Sequence, residues 1–198
     1  MLKILKKIPH KVYMVLTRPE HFFKKIVVDG SIEESIVKAF LYGLIGGIAL
    51  IVINLVGGGG LTFGGVFARL VVFPPIAVVV LFVFAGLMMM FSELTSGARD
   101  WELAVKGVSS IFFMYPVVLI LNSLAWGCAS LWLVSILVDG YILFLLYNLA
   151  YHCMGGKKQF VLAVVAAAAL LSIMIYLSDY SVVWLALKNS SAAISCLA

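Results

Sequence analysis

Five long apolar runs, separated by short polar or glycine-rich breaks, dominate the chain. They cover roughly 36–56, 70–91, 107–126, 130–151 and 160–178, which is 21, 22, 20, 22 and 19 residues. At about 1.5 Å per residue, a helix of each length reaches across the roughly 30 Å hydrocarbon core of a bilayer. Lipid offers open backbone groups no partners, so spans of this kind must be helical. The pattern predicts an all-α polytopic membrane protein, a five-transmembrane-helix bundle over 31–178. A basic segment, 1–30, precedes it with N-terminal interfacial amphipathic helices, and a tail, 179–198, follows.

Local signals set the helix ends. Ser31-Ile32-Glu33-Glu34 has the form of a capping box, so the first spanning helix should begin a turn before its apolar run. Asp100 can cap the helix that becomes the third span, with Trp101 at the interface. Trp126 and Trp132 bracket Gly127-Cys128-Ala129, which predicts an antiparallel hairpin of spans three and four. Pro74-Pro75 lies a turn into the second run, so the helix should either start there or enter through an irregular turn. Pro116 should kink span three.

The N-terminal segment carries a second pattern. Leu2, Leu5, Ile8, Val12 and Leu16 recur at helical spacing, with Lys3, Lys6, Lys7 and Lys11 mostly off that stripe. Pro9 should divide it into two short helices. Thr17-Arg18-Pro19-Glu20 reads as another capping box, opening a helix with Phe22, Phe23, Lys24, Lys25, Ile26 and Val27. Lys3, Lys6, Lys7, Lys11, Phe22, Phe23, Lys24 and Lys25 form the expected lipid-surface set, with lysines on anionic headgroups and rings inserted among chains. A plain topogenic signal is the simpler alternative.

Composition removes the soluble classes. Apolar residues make up 64% of the chain and charged ones 12%, against about 45–50% and about 25% in soluble domains. The net charge of +5 does not point to nucleic acid, because eight of the fourteen basic residues fall in the first 38. With the N-terminus inside, twelve Lys and Arg lie on the inner side and only Arg69 and Lys188 outside. That bias predicts a cytoplasmic N-terminus, an outer C-terminus and a multi-pass protein of a prokaryotic cell membrane. The expected partners are anionic lipids of the inner leaflet, with self-association or a second membrane protein as further options. Cys128, Cys153 and Cys196 show no metal-ligand spacing and no disulfide framework.

Candidate chemistry is sparse. Glu33-Glu34 reads as a cap, Gly155-Gly156-Lys157 as a turn with topogenic lysines, and His10, His21 and His152 as interfacial groups. No catalytic residue, cofactor or metal is expected. Ala39, Gly43 and Gly47 sit four apart on the first span and allow another helix to approach closely. Asp139 lies ten residues into the fourth run, roughly 15 Å from either end. An acid there costs about 2.5–3.5 kcal/mol on insertion scales and should face the bundle. Asn122 and Asn54 are its candidate partners, in a polar clasp between helices or in a proton or solute site.

Several segments resemble a known family. Thr17-Arg18-Pro19-Glu20-His21-Phe22-Phe23-Lys24-Lys25-Ile26 looks like the "RP-x-x-FF" opening segment of prokaryotic members of the YIP family (Ypt/Rab-interacting membrane proteins). The stretch from Gly97 to Lys106, then Tyr115-Pro116, is similar to the family's glycine-containing inner loop and its Tyr/Ser-Pro step. The loop His152 to Lys158 and the alanine-rich fifth run, with Ala166–Ala169, resemble the last inner loop and helix. The resemblance implies a non-catalytic protein that organises membrane or protein partners. The Asp-Leu-Tyr-Gly-Pro sequence of eukaryotic relatives is missing, so Rab binding is not implied. A small transporter or channel built around Asp139 is the alternative expectation.

Overall fold

The computed structural model describes residues 12–25, 31–57, 60, 62–125 and 130–189, with side chains except at 25, 125, 130–133 and 175–189. The described residues are helical and contain no strand. After a helical stretch over 12–17 come α1 (Pro19–Lys25), α2 (Ile32–Val56), α3 (Phe63–Phe67), α4 (Phe73–Leu94), α5 (Trp101–Ile111), α6 (Met114–Ala125), α7 (Ser130–Asn148) and α8 (Lys158–Asn189). Two π-helical turns, Ala68–Val72 and Leu149–Cys153, join α3 to α4 and extend α7.

The helices that predict spans are apolar all round, as a bilayer requires. Ile32–Val56, Phe63–Leu94 and Val134–Cys153 are each long and apolar enough to cross a membrane, and α5 with α6 makes a fourth crossing bent by 49°. In α8 the apolar part described runs over 17 residues, Lys158–Met174, short of that length. Val79, Val83, Leu87 and Leu137 expose more than half their surface, which water would not tolerate in such density but acyl chains would.

Helix α2 is the hub, packed against α4, α5 and α6, while α7 packs on α6 and α8 on α7. Small residues make the hub possible. Ala39, Gly43 and Gly47 are buried. A Cβ on Gly43 would lie 2.6 Å from that of Ala77, and one on Gly47 would overlap the Arg69 carbonyl oxygen. The close approach therefore lies within the bundle, against α4 and its π turn.

That π turn replaces the helix start expected near Pro74-Pro75. The helical rod runs unbroken from Phe63 to Leu94, so the second span begins earlier than position 70. The N–H of Phe73 reaches back five residues to the Ala68 carbonyl. In that register Pro74 would answer the Arg69 carbonyl, but proline has no N–H to give. The released carbonyl turns onto Gly47, where only a missing side chain leaves room.

Pro116 acts in the same way in span three. Its missing N–H leaves the Phe112 carbonyl, which Tyr115 takes up at 3.0 Å in a tighter turn, and the bend falls just there. Ser31 caps α2 by accepting from the Glu34 N–H at 3.2 Å, and the Glu34 carboxylate pairs with Lys38 at 2.9 Å. Asp100 caps α5 through the Leu103 N–H at 3.1 Å. A buried hydroxyl pair, Ser109 donating to Ser35 at 3.0 Å, links α5 to α2.

Candidate functional site: the basic end of the bundle and an intramembrane cavity

At the end of the bundle where α2 and α5 begin, residues 12–25 pack onto α7 and its π turn. Val15 and Phe23 are fully buried there, and Phe22 meets the Phe23 ring edge-on at 5.5 Å. Phe23 therefore faces protein, which removes it from the expected lipid-facing set. Phe22 is half-buried and Lys24 exposed. Lys3, Lys6, Lys7 and Lys11 lie outside the described residues, as does the Lys25 side chain.

Proline chemistry fixes the dock. Pro19 cannot donate to the Val15 carbonyl one turn earlier, so the helix over 12–17 must stop with open carbonyls. The Tyr141 hydroxyl of α7 supplies the donor, at 3.1 Å to the Leu16 carbonyl and 3.4 Å to that of Val15. Thr17 does not act as the expected cap. Its hydroxyl donates back to the Tyr13 carbonyl at 2.8 Å, and the first bond of α1 runs from Phe22 to the Arg18 carbonyl. The cap position thus falls on Arg18.

Two loops at this end are tied together by backbone. The Ala98 N–H donates to the Met154 carbonyl at 2.6 Å, and the Lys157 N–H to the Thr95 carbonyl at 2.9 Å. The Ser92 hydroxyl closes the first loop on the Ala98 carbonyl at 2.8 Å. A Cβ on Gly97 would sit 2.7 Å from the Met154 oxygen, so the glycine lets the second loop in. Cys153, beside this junction, is a buried free thiol.

The second feature is a cavity of about 260 Å³ at the break between α5 and α6. Phe84 of α4, Phe112 and Tyr115 at the break, and Ile142 of α7 supply its apolar and aromatic walls, and Asp139 supplies its one acid. Tyr115 stacks on Phe112 at 5.1 Å. Asp139 does face the bundle, half-buried, but the expected asparagines are not at its cavity. Asn122 is exposed on α6. With its oxygen turned toward the guanidinium, Asn54 accepts from Arg69 at 2.7 and 2.8 Å. Arg69 also donates to the Leu50 carbonyl at 3.3 Å. Asn54 therefore serves the π turn rather than the acid.

The sequence carried a signal for Tyr141 that went unused. Pro19 demands an outside donor for Val15, and tyrosine hydroxyls are among the few donors within the apolar runs. Comparison with family models, curated proteins and solved structures finds no match for this chain.

Proposed function

We propose that this chain is a non-catalytic integral membrane protein of YIP type, which organises the membrane or a protein partner at the inner leaflet of a prokaryotic cell membrane. The observation that carries the reading is the fixed attachment of residues 12–25 to the basic end of the bundle, through buried Val15 and Phe23 and the Tyr141 hydroxyl. Topogenic lysines alone need no such dock. Tyr13 and Leu16 remain exposed on the attached segment beside Arg18 and Lys24, so an apolar and a cationic surface lie together.

Depth supports the same reading. Lys38 and Lys106 lie roughly 8–9 Å inside the starts of α2 and α5 and are paired with Glu34 and Glu102, at 2.9 and 2.7 Å. Cations at that level mark the headgroup boundary, and the docked segment then sits at the headgroup–acyl boundary, as interfacial helices do. Helix α8, 32 residues and roughly 48 Å long, supplies the fifth span. The N-terminus is cytoplasmic and the C-terminus outside, by the charge bias.

The Asp139 cavity favours a second reading, a small transporter, although its walls suit an apolar solute better than a polar one. Reconstitution into liposomes, scoring vesicle shape and solute flux together, separates the two. Shape change without flux is the expected result. Flux without shape change would overturn the organiser in favour of the transporter.

A further inference from the structure

Between the docked segment and α7 lies a recess of about 560 Å³. Arg18, Glu20, His21 and Lys24 line its polar side, and Leu16 and Phe144 its apolar side. Among the described residues, Arg18 and Lys24 have no ion-pair partner, whereas Lys38, Lys106 and Arg99 are each held by a glutamate. Glu20 is the acid among them, and it lies with Lys24 within electrostatic reach of His152. Leu16 and Phe144 expose 44% and 47% of their surface, so the apolar wall opens sideways onto the face that lipid would cover.

We infer that this recess binds one anionic phospholipid whose headgroup ends in hydroxyls, as phosphatidylglycerol does. This rests on the proposed placement of the basic end at the headgroup level. Arg18 and Lys24 take the phosphodiester, the guanidinium as a fork and the ammonium as a point charge. The ionised Glu20 carboxylate only accepts hydrogen bonds, so it receives the headgroup hydroxyls and repels a headgroup carboxylate. One acyl chain follows Leu16 and Phe144. Bulk electrostatics would treat phosphatidylglycerol and phosphatidylserine alike, because both carry one net negative charge. The recess distinguishes them.

The test uses the purified full chain in detergent with equimolar phosphatidylglycerol and phosphatidylserine, scoring retained lipid by native mass spectrometry. Phosphatidylglycerol should be retained about fivefold over phosphatidylserine, the factor that one hydrogen bond confers. Glu20→Gln should level the two, Arg18→Gln with Lys24→Gln should lose the retained lipid, and Lys106→Gln should leave the preference intact. Equal retention by the wild-type chain, or a preference unmoved by Glu20→Gln, overturns the proposal. Glycerophosphoglycerol, the same headgroup without chains, should not displace the lipid at matched concentration; displacement would assign the recess to a soluble phosphodiester instead. If selectivity fails while the vesicle shape change persists, the recess falls and the organiser stands; selectivity without shape change does the reverse.

Discussion

Gly47→Ala adds one methyl at the point where α2 meets the π turn. The new Cβ would overlap the Arg69 carbonyl oxygen and lie 3.0 Å from its carbonyl carbon. Both are backbone atoms, so no rotamer change relieves the clash and the two helices must part. Overpacking of this kind costs about 1–3 kcal/mol. Replacing glycine inside a helix by alanine returns about 0.5–1 kcal/mol. The net loss is then on the order of 0.5–2 kcal/mol. Gly140 in α7 is the control, since nothing lies within 4 Å of a Cβ there. Gly140→Ala should keep only the gain, which places the two variants about 1–3 kcal/mol apart with opposite signs. Denaturation by SDS in mixed micelles, followed by tryptophan fluorescence, measures both. A Gly47→Ala chain as stable as Gly140→Ala would refute the close-approach argument.

Three further perturbations follow from the same contacts. Phe23→Ala should release the docked segment and speed tryptic cleavage after Arg18 and Lys24 in mixed micelles, since a buried phenylalanine is worth about 3–5 kcal/mol; an unchanged digestion pattern would contradict the dock. Gly97→Val should separate the two tied loops, lowering the midpoint of SDS denaturation and exposing Cys153 to thiol reagents; a chain with Cys153 still unreactive would argue that the loops do not depend on each other. Asp139→Asn should hold stability within about 1 kcal/mol while Asp139→Leu loses more, the behaviour of a hydrogen-bonding clasp; a functional loss in the asparagine variant with intact stability would instead point to an ionisable site.

Sequence reasoning reads what repeats or what caps. Ser31 and Asp100 sit where capping chemistry puts them, and the first apolar run became a helix with only its start extended by four residues, to Ile32. The Ala39, Gly43 and Gly47 spacing pointed to close packing but not to its partner, because the partner is a carbonyl set free by Pro74 in another helix. Each of Pro19, Pro74 and Pro116 announces an orphan carbonyl, yet the remedies differ: a distant tyrosine, a π turn against a glycine, and a tighter turn with a bend. Which remedy applies depends on neighbours that only folding brings together. Asn54 was misjudged for a related reason. Its depth matched Arg69 rather than Asp139, and an unpaired guanidinium among apolar helices is the stronger claimant.

The proposed role depends on the basic end of the bundle facing the anionic inner leaflet, and thiol accessibility in intact cells tests this directly. Ser96 and Gly60 are both exposed, in loops at opposite ends of the bundle. Single cysteines at these positions, in a chain with Cys128, Cys153 and Cys196 replaced by serine, would be treated with an impermeant maleimide. Gly60→Cys should label in intact cells and Ser96→Cys only after permeabilisation. Labelling of Ser96→Cys in intact cells with Gly60→Cys protected would turn the molecule over, place its docked helices on the outer face, and contradict the account.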